Sequence, residues 1–222
     1  MTKRLLIVGA GGFGREVLAW ALAVPPGARD WDIGGFLDAN PRALDAHPCG
    51  FRVLGDPATY EPGAGDVFVP AIADPAIKLR LCRGLRARGA TFTTLVHPSV
   101  IVGPGCRVGT GVVLCPRVVL TTNVTLGDFV TINVGSACGH DTVLGDGITI
   151  SSFADVTGAV RLGEGVFLGS HAVVFPRIEV GEFAIIGAGS AVLRKVPARV
   201  TVMGVPAKQV AGFDAAALES KA

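Results

Sequence analysis

From Val96 onward, every sixth residue of this 222-residue chain is apolar. Positions 96, 102, 108, 114, 120, 126, 132, 138, 144, 150, 156, 162, 168, 174, 180, 186 and 192 read V, V, V, L, L, L, I, C, L, I, V, L, L, V, V, I, V, with no insertion. The next residue is often glycine, as at 103, 109, 127, 139, 145, 163, 169, 181 and 187. The fourth residue after each is small or β-branched, as at Val112, Val118, Val124, Ser136, Ala154, Ala172, Ala184 and Ser190. Such a register predicts a parallel β-helix, in which each hexad gives one short strand and one turn and three hexads close a triangular coil. Coils stack about 4.8 Å apart, and the aliphatic residues form ladders inside the prism. The glycines are expected to supply backbone conformations that a Cβ would penalise. A β-sandwich of short strands would not hold a strict register over seventeen hexads. Prisms of this kind bury little per coil and expose their ends, so capping or trimerisation along the flat faces is expected.

The residues before the repeat read differently. "KRLLIVGAGGFGREVLAWALAV" is a buried strand, a glycine turn and an amphipathic helix. Gly9, Gly11 and Gly14 satisfy G-x-G-x-x-G after a strand and before a helix, the setting that motif requires. A second strand, "WDIGGFLD", ends in Asp38; a third, "DVFVPAIAD", leads into the helical "PAIKLRLCRGLRARG"; and "TFTTLV" delivers the chain to the repeat. Asp38 stands 24 residues past Gly14, where a ribose-binding acid would fall in an NAD site. Yet there is room for barely one of the two halves of a dinucleotide fold. One half suits one nucleotide, with phosphate held at the helix N-terminus behind Gly11–Gly14. A mononucleotide or nucleotide-sugar site is therefore preferred over NAD, and over a domain without ligand.

Composition narrows the function classes. The chain is 50 % hydrophobic and 17 % charged with a formal net charge of +2, too little for a nucleic-acid surface or a polybasic membrane anchor. No apolar run reaches the roughly 18 residues of a membrane span. "MTKRLLIVGAGGFG" starts like a signal peptide but runs straight into a glycine turn, and is expected to be a first strand that the protein keeps. Five cysteines without a C-x-x-C argue against disulfides or a zinc knuckle and suit a reducing cytoplasm. Histidines 97, 140 and 171 raise the question of a metal, but their intervals of 43 and 31 are not multiples of an 18-residue coil. They should not converge, and no metal is expected.

Taken together, "IVGAGGFGREV", "FLDANP", "VLGD", "VHPSVIVGPG", "INVGSACGHD", "IGAGSAVLRKV" and "GVPAKQV" make the chain resemble, over nearly its whole length, the two-domain hexapeptide acyltransferases that modify bacterial sugars. That group includes nucleotide-linked aminosugar N-acetyltransferases and sialic acid O-acetyltransferases. The resemblance implies a left-handed β-helix, a homotrimer, and acetyl-CoA lying in the seam between neighbouring prisms. It implies that His140 is the general base and Asp141 its acidic partner. Nucleotide-sugar contacts fall on Gly11, Gly12, Phe13, Gly14, Asp38, Ala39, Asn40 and Ala73, and coenzyme contacts on Thr149, Ser170, Gly187 and Ala188. Lys208, with Arg194 and Lys195, is a candidate for the coenzyme phosphates.

The chemistry agrees with those roles. Acyl transfer from a thioester needs a proton removed from the attacking group, which a neutral imidazole suits, and a carboxylate can fix its tautomer. One difficulty stands: adjacent residues of a strand point to opposite faces, so His140 and Asp141 cooperate only where the chain turns. The chain also departs from the family's pattern. Thr149 replaces a frequent histidine, Ser152 and Phe153 a Pro-Gly pair, Ala73 a glycine, and Lys78 an arginine in the loop expected near the nucleotide.

The expected fold is thus α/β plus all-β. It comprises a Rossmann-like nucleotide-sugar-binding domain over 1–92, a left-handed β-helix acyltransferase domain over 93–210 and a tail over 211–222. The expected activity is acetyl-CoA-dependent N-acetylation of a nucleotide-linked 4-amino-4,6-dideoxy sugar. O-acetylation of a sialic acid-type sugar and a non-catalytic β-helical sugar-nucleotide-binding protein are the alternatives.

Overall fold

A computed structural model describes residues 2–210; the tail over 211–222 lies outside the described residues. Five strands and two α-helices precede the repeat, with one short 3-10 turn (Pro26–Ala28) after α1: β1 (Lys3–Val8), α1 (Gly12–Ala23), β2 (Trp31–Leu37), β3 (Val53–Gly55), β4 (Asp66–Pro70), α2 (Pro75–Ala87) and β5 (Thr91–Phe92). The five strands form one parallel sheet in the order β3-β2-β1-β4-β5. Strand β1 is central, and its Leu5, Leu6, Ile7 and Val8 are wholly buried, as a strand covered on both faces requires. The order reverses between β1 and β4, and open α/β sheets bind ligands beyond the C-terminal strand ends at such a point.

From Leu95 the chain winds into a left-handed β-helix of two-residue strands in three parallel sheets. Strand partners lie one coil, 18 residues, apart: Thr131 beside Thr149 on one face, Leu120 beside Cys138 on the next, Leu126 beside Leu144 on the third. Every sixth-residue position from Leu114 to Val192 is at most 3 % exposed. The first coil differs: Val96, Val102 and Val108 are 39, 47 and 38 % exposed, because no coil lies beneath them. At the other end Thr201–Met203 joins the first face beside Ile185–Ile186, and Lys208–Gln209 pairs with it antiparallel.

The corners correct one expectation. Left-handed backbone does not fall on the glycines that follow the inward residues. It falls two places later, on every sixth residue from Gly105 to Gly189, and nine of those fifteen are not glycine. The expected glycines have a different reason: a Cβ at Gly139 would stand 2.7 Å from the Gly158 nitrogen, and one at Gly145 2.8 Å from the Glu164 nitrogen. They let coils stack closely.

Helix α2 fastens the sheet to the prism. Asp74 caps it by accepting from the Ile77 N–H at 2.8 Å. Leu79, Cys82 and Leu85 pack between Leu6, Val8, Leu37 and Phe68 of the sheet and Phe129 of the prism. Its arginines meet a column of acids set one coil apart. Arg86 pairs with Asp128 at 2.8 Å, and Arg83 with Glu164 at 2.6 Å and Asp146 at 3.3 Å.

Candidate functional site

Two groups of the expected site residues come together at the C-terminal edge of the sheet. Helix α1 begins behind Gly11, with no side-chain cap and no acid in its first turn, so its positive end is left for an anion. A Cβ at Gly14 would collide with the Gly9 carbonyl, so the third glycine of the motif is needed for the helix to lie this close to β1. Asp38 ties the turns to one another: Oδ2 accepts from the Ala10 N–H at 2.8 Å and Oδ1 from the Asn40 N–H at 2.9 Å. Ala73 is exposed in the loop after β4, and that loop abuts the glycine turn, since a Cβ at Gly9 would stand 2.8 Å from the Ala71 carbonyl oxygen. The turns of Gly11–Gly14, Asp38–Asn40 and Ala73 thus lie together at the reversal point.

His140 and Asp141 sit at a corner of the prism. Asp141 has φ +61°, and this left-handed turn removes the strand alternation that would have set the two side chains on opposite faces. Asp141 Oδ2 lies 2.8 Å from His140 Nδ1. The hydrogen bonds from His140, and then from Asn123, hold the Asp141 carboxyl below the usual carboxylate range. An ionised carboxylate only accepts, so Nδ1 carries the hydrogen and Nε2 of the neutral ring is the free acceptor. The ring lies over Gly158, where a Cβ would run into it. Behind the pair, the buried Thr142 hydroxyl donates to the Gly139 carbonyl at 2.7 Å and lies 3.1 Å from that of Thr157. Asn123 and Gly158 were missed in the sequence, although counting one coil back from Asp141 and one forward from His140 finds both.

The residues expected to touch coenzyme divide. Ser170, Gly187 and Ala188 lie along a different corner, across one face of the prism from His140. Beside them, in the positions following Ser152 and Ser170, Phe153 and His171 stack with ring centroids 5.3 Å apart. Lys208 is exposed in the C-terminal ladder, while Lys195 lies on another face, paired with Glu179 at 2.7 Å. Thr149 is not with the others. It is 3 % exposed beneath α2, and its hydroxyl lies 2.8 Å from Lys78 Nζ.

Lys78 also lies away from its expected place. It belongs to α2 rather than to a loop beside the nucleotide, and it is wholly buried against the prism. Its Nζ donates to the Ile148 carbonyl at 3.1 Å and to the Thr131 and Thr149 hydroxyls at 3.0 and 2.8 Å. Burial pushes its pKa down to about 7. Two departures from the family's pattern, Lys78 and Thr149, are therefore one contact. Among the described residues no three of histidine, cysteine, aspartate or glutamate gather as metal ligands. Nor is any helix long and apolar enough to cross a membrane.

Residues 4–85 match the family described as the PglD N-terminal domain. A GDP-perosamine N-acetyltransferase of Escherichia coli O157:H7 is 32 % identical over 93 residues, which span 41 % of this chain and 42 % of that enzyme. PerB from Caulobacter crescentus, solved with CoA and GDP-perosamine, is 32 % identical with a TM-score of 0.83, over 95 % of this chain and 98 % of that one. The acetyltransferase domain of PglB from Neisseria gonorrhoeae, solved with acetyl coenzyme A, is 28 % identical with a TM-score of 0.85, over 95 % and 100 % of the two chains.

Proposed function

The chain belongs to the two-domain hexapeptide-repeat sugar acyltransferases, and on that basis we propose that it transfers the acetyl group of acetyl-CoA to the amino group of a nucleotide-linked 4-amino-4,6-dideoxy sugar. The observation that carries this reading is the corner pair. His140 presents a free Nε2, because its Nδ1 is held by Asp141 at 2.8 Å. Nε2 takes the proton of the sugar amine as nitrogen bonds to the thioester carbon, the C–S bond breaks, and the thiolate leaves to be protonated as CoA. Asp141 steadies the imidazolium in the meantime. No covalent acyl-enzyme is needed.

The N-terminal site takes the nucleotide. Its anion-ready helix end and the turns joined by Asp38 suit a diphosphate and a base; one relative is named a GDP-perosamine N-acetyltransferase, and PerB was solved with GDP-perosamine. A homotrimer accounts for the separation of His140 from Ser170, Gly187 and Ala188. A seam between two prisms sets one chain's histidine corner against its neighbour's other corner, with acetyl-CoA and Lys208 along it. Free cysteines at all five positions suit the cytoplasm.

The deciding experiment is CoA release with GDP-, UDP- and dTDP-linked 4-amino-4,6-dideoxy sugars, with free sialic acid alongside. Release with one aminosugar nucleotide is expected, with loss of most turnover but not of ligand binding in His140→Ala. Release with sialic acid alone would move the activity to O-acetylation. An unchanged rate in His140→Ala would remove the base from the proposal.

A further inference from the structure

The corner that carries Asp141 is one of a column set one coil apart: Gly105, Asn123, Asp141, Ala159 and Arg177, at φ +73, +57, +61, +60 and +62°. The backbone of this column is fixed. The Asn123 N–H donates to the Pro104 carbonyl at 3.0 Å, the Asp141 N–H to Thr122 at 3.0 Å, and the Ala159 N–H to His140 at 2.7 Å. What varies is the side chain. The corner itself asks only for a residue that tolerates left-handed backbone, and glycine serves at 105 and 135. Asparagine also tolerates that backbone, but alanine, arginine and phenylalanine hold other corners, and among the described residues only at 123 does the side chain set an amide donor directly beneath a carboxylate.

Asn123 Nδ2 donates to Asp141 Oδ1 at 3.2 Å, while Asp141 Oδ2 takes His140 Nδ1 at 2.8 Å. The amide oxygen lies over Gly105, in space that a Cβ there would fill. A second anchor matters because the pair is wet. The His140 and Asp141 side chains are 65 and 55 % exposed, and an exposed pair held by one contact loses much of its worth to solvent and to rotamer freedom.

We propose that Asn123 is a positioning residue for acetyl transfer. Its amide N–H fixes the Asp141 carboxylate so that the second oxygen holds His140 Nδ1–H and leaves Nε2 unprotonated to take the substrate's proton. The proposal deepens the reading of His140 as base, and rests on it. Held from both sides, Asp141 stays an acceptor, and His140 stays in the tautomer the reaction needs.

Asn123→Gly removes the donor but keeps the left-handed backbone, and Asn123→Asp keeps the shape but sets a carboxylate against a carboxylate. Expected is a roughly tenfold loss of kcat in Asn123→Gly with KM for both substrates little changed, and a deeper loss in Asn123→Asp. The companion measurement is 15N detection of the His140 ring in the ligand-free protein in alkaline buffer. The Nδ1–H form should dominate in the parent chain and give way to Nε2–H in both variants. Unchanged kcat, or a lowered kcat with the Nδ1–H form retained, would overturn the proposal. Should the parent chain release no CoA with any acceptor, the acetyltransferase reading falls. The tautomer alone then decides the orienting role: a shift upholds it and no shift overturns it.

Discussion

The imidazole of His140 occupies the place where residue 158 would carry a side chain, and Gly158 leaves it open. Gly158→Ala should therefore swing the ring off its line to Asp141 without disturbing the prism, since the ring is largely exposed. Expected is a loss of kcat of at least about tenfold, with thermal stability nearly unchanged. Steady-state kinetics and a melt on the same preparation check this, and equal losses in both would mean that the glycine is only structural. At this scale the sequence was half legible. The adjacent histidine and aspartate stood out within the repeat, and so did the problem of their opposed directions. The answer lay in φ at Asp141, which no residue type announces, because arginine, phenylalanine and alanine hold the same conformation at other corners. The partners Asn123 and Gly158 were hidden because contact across coils runs at a period of 18, far outside any local motif.

A hexad is the element of this fold, and nearly all of it could be read. The ladder positions, the small residues beside them and the half-fold in front were visible as periodicity and as a strand–glycine–helix pattern. The exposure of the first coil was not, because a ladder position looks the same whether or not another coil lies beneath it. The two situations should differ in energy. Leu120→Ala, wholly buried in mid-stack, is expected to cost about 2–5 kcal/mol, whereas Val102→Ala at the open end should cost less than about 1 kcal/mol. Urea unfolding of the two variants tests the contrast, and equal costs would mean that the first coil is covered in solution. The acids at the α2 corner show a second device of the same kind. Asp128, Asp146 and Glu164 recur one coil apart, and stacking brings like charges together unless Arg86 and Arg83 stand between them.

At the scale of the whole molecule, Lys78 is a wholly buried cation held between the sheet and the prism. Its pKa falls from an ordinary 10.5 to about 7, with Asp74, Cys82 and Cys115 opposing the effect of burial. The Cys82 thiol is itself pushed up to about 12, and Cys115 upward as well, so neither thiol ionises near neutrality. Below about pH 7 folded and unfolded chains both carry the Lys78 charge, and the full penalty of burying it applies. Between 7 and 10.5 the unfolded chain keeps a proton that the folded one has released, so stability rises with pH. Relative to Lys78→Met, the melting temperature should climb from neutral pH to about 9.5 and stay level on the acid side. A constant difference would mean that the amine keeps its charge in the folded state. The place of Lys78 was not legible, because a lysine in a basic helix reads as a solvated charge until the surface opposite it is known. The open first coil also has a bearing on how the chain is made. On the ribosome the sheet and α2 emerge before any coil, and each later coil is laid on a finished one. The coil that has none beneath it is the one that Phe92 and Thr94 lead into: the Thr94 hydroxyl donates to the Gly109 carbonyl of that coil at 2.9 Å, and the Phe92 ring meets Phe129 of the next coil with centroids 4.9 Å apart. The sheet and α2, complete before the first coil, are thus also the foundation on which synthesis starts the prism.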